Sequence, residues 1–269
     1  TAHGGHDSAY FTAEVTVSEA SNHGPIVENS SWITRVSIDS NDFEGGGDSF
    51  AGAVSNAGVA AFSSDADNLV DEDANGDMAD IFIHRLNDGT TERVNVSSSG
   101  DEANSQTFGG PSISANGNFV VFESAANNLV AGDTNDAPDI FVHNVETGAT
   151  VRVSLDDLDA ELPSESMISS HAISDDGRYV VFETQALGAE QDQNHTWDVY
   201  VRDLLEGTTE LVSARNNSIW PGSGASNYGL ISGDGRFVVF NSAVDDLDDN
   251  AVDDNGHRDV YIRDLVNHT

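Results

Sequence analysis

The sequence contains no cysteine and no lysine, only five prolines, and no apolar run of the ~18 residues needed to cross a bilayer as a helix. Without cysteine there is no disulfide framework, and the compartment stays open, because a secreted microbial protein and a cytosolic one both fit. With neither an apolar span nor a charged-then-apolar leader, the chain is expected to be soluble, already processed and not inserted in a membrane. All ten basic residues are arginine and stand against 47 acidic ones, a net charge of −37. A field of that sign repels nucleic acid and anionic membrane, and favours cations, strong hydration or a basic partner. Such acidity suits brine, where the Debye length shrinks to about 3 Å at molar salt and screens the repulsion. A calcium-rich setting is the rival explanation. Disorder is disfavoured by a hydrophobic content of 38 % gathered in short ordered runs.

What is present is a repeat. Phenylalanines recur at Phe62, Phe122, Phe182 and Phe240, in steps of 60, 60 and 58 residues. Before each lies a turn dipeptide: Ala57-Gly58, Asn116-Gly117, Asp176-Gly177 and Asp234-Gly235. After each comes a polar loop and then Asp80-Ile-Phe-Ile, Asp139-Ile-Phe-Val, Asp198-Val-Tyr-Val or Asp259-Val-Tyr-Ile. Each unit reads as four strands, A to D from inner to outer, with almost no helix. Strands B and C are continuous apolar runs, so both faces of each small sheet must be covered. Radially stacked sheets meet that demand, and a β-propeller of four repeats of about 59 residues follows.

The run Ile173-Ser-Asp-Asp-Gly-Arg-Tyr-Val-Val-Phe182, then Asp198-Val-Tyr-Val-Arg-Asp203 and Leu211-Val-Ser213, resembles the TolB-type (WD40-like) propeller repeat over residues 31–267. That resemblance implies architecture and leaves function open, since such repeats serve in binding proteins, peptidase accessory domains and surface proteins. The domain reading is an N-terminal extension, residues 1–30, with one strand at Tyr10–Val17, followed by a propeller over 31–269. Its repeats span about 48–98, 107–155, 167–214 and 225–269. The last repeat lacks strand D, and Trp32-Ile-Thr-Arg-Val-Ser37 matches a strand D with no repeat before it. Residues 32–37 are therefore expected to close the ring as a latch. Two alternatives are a slice of a larger propeller and a strand lent to a neighbouring copy in head-to-tail self-assembly.

The B–C loops share a spacing of oxygen donors: Asp133-x-Asn135-x-x-x-Asp139, Asp192-x-Asn194-x-x-x-Asp198 and Asp253-x-Asn255-x-x-x-Asp259. The first loop, Asp73-x-Asn75-x-Asp77-x-x-Asp80, is one residue longer. Alternating hard oxygens suit Ca2+, which takes six to eight of them at about 2.3–2.6 Å. The plainer alternative is Asx-turn chemistry copied with the repeat.

Other candidates are weaker. His84 and His143 occupy the slot of Arg202 and Arg263 and are expected at solvent-facing strand ends. Thr1-Ala-His3 could bind copper or nickel only through a free amino terminus. Asn29, Asn95, Asn194, Asn216 and Asn267 begin glycosylation sequons, which matter only outside the cytosol. Trp32, Trp197 and Trp220 could stack on sugars. No nucleophile elbow, zinc-protease motif or phosphate loop is present. The expected function is a non-enzymatic, extracellular or cell-surface, calcium-stabilised binding or assembly module adapted to high salt, with a glycan or protein ligand. The alternative is a glycan-active lyase or hydrolase with its site in the central channel.

Overall fold

The computed structural model describes residues 33–76, 78–185, 192–216, 218–248 and 256–268. The extension at 1–30, Trp32, Asn29, Asp77, Asp253 and Asn255 lie outside the described residues. The chain divides into two units, residues 1–34 and 35–269. The second is all β and contains every strand described.

The first sheet runs β1 (Ser49–Val54), β2 (Val59–Ser64), β3 (Asp80–Arg85), β4 (Thr91–Arg93), each antiparallel to the next. The second is β5 (Thr107–Ile113), β6 (Phe119–Ser124), β7 (Asp139–Asn144), β8 (Ala149–Arg152). The third is β9 (Ser166–Met167), β10 (Tyr179–Thr184), β11 (Asp198–Asp203), β12 (Thr208–Leu211). The fourth has three strands among the described residues: β13 (Ser226–Ile231), β14 (Phe237–Ser242), β15 (Asp259–Asp264). Strand β9 is short, and His171, four residues beyond it, takes a φ of 58°. Beyond it only an isolated bridge, Ile173 to Val180, continues the pairing.

Each repeated Phe faces an aromatic directly across the B–C ladder. The pairs Phe62–Phe82, Phe122–Phe141, Phe182–Tyr200 and Phe240–Tyr261 stack with centroids 5.7–5.8 Å apart. Burying one such ring contributes roughly 1.5–3 kcal/mol. Successive sheets bury their faces on one another, which is why strands B and C show no polar alternation. Ile81 and Ile83 meet Phe122 and Phe141 in one cluster; Ile140 and Val142 meet Phe182 and Tyr200 in the next; Val199 and Val201 meet Phe240 in the third. The residue just past each strand D, Val94, Val153 or Val212, enters the cluster of the following sheet.

The A–B turns also lock neighbours together. Gly177 has a φ of +80°, and a Cβ there would lie 2.1 Å from Phe119 Cδ2 of the preceding sheet. Only glycine satisfies both the conformation and the approach.

Among the described residues β15 pairs with β14 alone, and Arg35–Ser37 belong to no strand. The expected latch is thus not formed by the described part of residues 32–37. Val36 instead packs with Phe62, Ala66, Leu69 and Phe82, entering the first sheet as Val153 enters the third.

Candidate cation sites between the sheets

The B–C loop carboxylates of the first two sheets converge with residues from strand D and from the link to the next sheet. In the second sheet, Asp139 Oδ1 accepts from Ser154 Oγ at 2.5 Å and Oδ2 from Asn135 Nδ2 at 3.2 Å. The guanidinium of Arg152, on β8, lies with Nη2 3.0 Å from Asp133 Oδ2 and Nε 3.6 Å from Asp139 Oδ2, and contacts Glu161 through Nη1. Glu161 in turn accepts from Thr134 N at 2.9 Å and Thr134 Oγ1 at 2.6 Å. The loop is thereby tied to the segment that leads into the third sheet.

The first sheet repeats the arrangement. Asp80 Oδ1 accepts from Asn95 Nδ2 at 2.6 Å and Asn75 Nδ2 at 3.0 Å; its Oδ2 lies 3.3 Å from Arg93 Nε, and Arg93 Nη1 contacts Glu102. Glu102 Oε2 accepts from Ala74 N at 2.8 Å. Asp73 Oδ1 accepts from Gly76 N at 3.2 Å, the Asx-type turn. Burial raises Asp80 and Asp139 to about 6, against the smaller lowering by their hydrogen bonds and arginines. Asp73 and Asp133 are raised for the same reason.

One carboxylate oxygen from each of Asp73, Asp80 and Glu102 lies within 4.8 Å of the others, and so do those of Asp133, Asp139 and Glu161. The donor type fits Ca2+. A guanidinium already contacts each set, so a divalent ion and the arginine would share one place. Asn75 and Asn135 turn their amide nitrogens toward the carboxylates and so act there as donors, not as oxygen ligands.

The third sheet departs from this pattern. Leu211 stands where Arg93 and Arg152 stand, and Pro221 where Glu102 and Glu161 stand. Buried Asp192 instead accepts a hydrogen bond from the Tyr200 hydroxyl, and Asp198 Oδ1 accepts from Ser213 Oγ at 2.6 Å. With no arginine beside it, Asp198 is pushed by burial up to about 7. Asn194 Nδ2 donates to Gly222 O at 3.1 Å. Next to it, Arg215, Trp220 and Pro221 line a cavity of about 300 Å³. In the fourth sheet only Asp259 of the expected set is described.

Arg93, Arg152, Glu102 and Glu161 were not among the expected site residues. A signal for them exists: Arg93 and Glu102, Arg152 and Glu161, and also Arg35 and Glu44, keep a constant spacing of nine. His84 and His143 correct a second expectation. Both are buried, each with Nδ1 2.9 Å from the hydroxyl of Thr91 or Thr150 across the C–D ladder, because strand D and the link that precedes the sheet, Ile38–Ser40 or Val96–Ser98, cover that end. Asn95, expected as a glycosylation acceptor, is fully buried between Ile81 N and Asp80, leaving no room for a glycan. Asn216 donates to Asp248 Oδ1 at 2.9 Å, and exposed Asn267 to Asp264 Oδ2 at 2.7 Å.

No family model and no curated protein matches the chain. Among solved structures it is similar to TolB from Acinetobacter baumannii, at 16 % identity over 83 % of this chain and 42 % of that one, TM-score 0.46. It is similar to a putative TolB from Agrobacterium tumefaciens, at 14 % identity over 83 % of this chain and 60 % of that one, TM-score 0.49. A third is the β-propeller domain of the Trilobed protease from Pyrococcus furiosus, at 15 % identity over 79 % of this chain and 52 % of that one, TM-score 0.44. This chain thus spans roughly half the length of the chains it matches, and the likeness is to TolB and TolB-like β-propellers in fold.

Proposed function

We propose that this chain is a non-enzymatic β-propeller module that binds a partner or assembles with one, outside the cell or at its surface, in high salt. The observation that carries this reading is the use made of the loop carboxylates. Asp80, Asp133, Asp139, Glu102 and Glu161 are tied by arginine and neighbouring amides into joints between successive sheets, and a carboxylate so held is poorly placed for acid–base turnover. Calcium stabilisation belongs to the same reading, on the ground of the convergent oxygens, with Arg93 and Arg152 yielding part of their contacts to the ion. A glycan or protein ligand would lie at the cavity beside Trp220, whose half-exposed ring offers a stacking face and whose neighbour Arg215 offers charge.

One observation favours the glycan-active enzyme in its place. Burial and the nearby Glu165 push Glu123 up to about 7, a value suited to a general acid. Incubation in molar salt with neutral and uronic-acid polysaccharides, read by new reducing ends and by unsaturated products, separates the two. The module releases no product; release abolished by Glu123→Gln would establish the enzyme.

A further inference from the structure

The two ends of the row of sheets carry complementary halves of the contact that joins the sheets inside it. On the side facing the next sheet, Ile140 and Val142 of β7 are buried, as are their counterparts in β3 and β11. In β15 the same positions are Val260 and Ile262, 70 % and 63 % exposed. On the side facing the previous sheet, Ile113, Ile173 and Ile231 are buried, whereas Val54, at the same position in the first sheet, is 69 % exposed. Among the described residues no sheet packs on the β15 face and none on the side of Val54, and the two faces do not cover each other.

The turn glycines repeat the same asymmetry. A Cβ on Gly117, Gly177 or Gly235 would collide with Val59, Phe119 or Tyr179 of the preceding sheet, at 2.9, 2.1 and 2.6 Å. At Gly58 the nearest such atoms, 3.8 Å away, belong to its own sheet. Among the described residues no turn glycine approaches Phe237, the fourth member of the Val59, Phe119, Tyr179 series. The charges agree with the apolar faces. Arg35 and Glu44 form the first member of the Arg–Glu series, 2.6 Å apart and exposed, with no loop carboxylate joining them among the described residues. Asp259 is the counterpart of Asp80 and Asp139, and among the described residues no arginine reaches it.

We infer that copies of this chain join head to tail, the β15 face of one copy packing on the β1–β2 face of the next, with Arg35 and Glu44 of the second copy meeting Asp259 of the first. This narrows the assembly half of the proposed function to a single contact. The occupant is a second copy because each copy carries both halves, matched in apolar surface, in turn and in charge, and because the contact continues one already made three times within the molecule. Such a contact is heterologous, so it propagates into a filament or closes into a ring according to the rotation per copy. The net charge of −37 opposes it in dilute buffer, so assembly belongs to molar salt.

The test is sedimentation velocity in molar potassium chloride on the wild-type chain and on Val54→Asp and Ile262→Asp, two substitutions at exposed positions that leave the internal clusters intact. The wild type should show species larger than a monomer that grow with concentration. Each variant alone should stay monomeric, because its one intact face meets only spoiled counterparts. An equimolar mixture of the two variants should form a discrete dimer, through the Ile262 face of the first and the Val54 face of the second. That dimer also shows that both variants are folded. A wild type that stays monomeric at every concentration, whether closed on itself or needing further propeller blades, overturns the inference, as does a mixture that stays monomeric. Either failure leaves the polysaccharide assay to decide the proposed function independently.

Discussion

Arg152 Nη2 lies 3.0 Å from Asp133 Oδ2, with both side chains almost completely buried. The pair joins the outermost strand of the second sheet to its own B–C loop, and through Glu161 to the link that enters the third sheet. A guanidinium presents several donors in a fixed fork, so one residue can hold three carboxylates at once.

Removing that guanidinium should open the loop to a metal. In Arg152→Met the oxygens of Asp133, Asp139 and Glu161 remain close together with no cation among them, so added calcium should raise the melting temperature and chelation should reverse the gain. The wild type should respond less to the same additions. A variant indifferent to calcium takes the metal out of the proposed function.

The A–B turns give a comparison within one molecule. Gly177→Ala places a Cβ against the Phe119 ring at a φ of +80°, and should cost about 1–2 kcal/mol for the backbone plus about 1–3 for the collision. Gly58→Ala meets the first cost without the second, since only ordinary contacts lie near it. Denaturant melts in molar salt that showed equal losses would contradict the packing described for the turn.

Acidity should stabilise the protein down to about pH 5. Asp80 and Asp139 at about 6 and Asp198 at about 7 lie above the unfolded value near 3.8, so the folded chain binds protons more readily than the unfolded one. Their contribution is complete below the unfolded value and is lost as pH rises through 6 to 7. Asp203 and Asp264, held low by Arg178 and Arg236, act in the opposite sense and lose their contribution only at more acid pH. Melting temperatures at constant salt should be higher near pH 5 than near pH 8, and Asp198→Asn should flatten that slope. A melting temperature that climbs from pH 5 to 8 would refute the assignment.

Much of this fold was legible because the repeat copies local chemistry. Turn glycines, the facing aromatics and the unalternated B and C strands are each set by a few adjacent residues. The cation sites were half legible. Asp133 and Asp139 share one loop, but Arg152 and Glu161 reach them from strand D and from the link beyond, and only the register of the sheet makes them neighbours. His84 was misjudged for a related reason: its slot holds arginine in the later repeats, yet the cover over that strand end, not the residue type, decides exposure. The open end of β15 was visible as a missing strand; the matching open face at Val54 emerges only once the sheets are packed.

Salt should act on the whole surface. Screening reduces repulsion among the 47 acidic residues, so thermal stability should rise steadily from dilute buffer to molar potassium chloride. Equal stability in dilute buffer would remove adaptation to brine from the account.

The central claim is that arginine–carboxylate joints, and not catalytic carboxylates, are what the loops and links are built for. Arg152→Met and Arg35→Met test it most directly when unfolded by denaturant side by side in molar salt. The account predicts a loss of about 3–5 kcal/mol for Arg152, whose removal strands buried carboxylates, and under ~1 kcal/mol for the exposed Arg35–Glu44 pair in the monomer. Equal, small losses at both positions would contradict it.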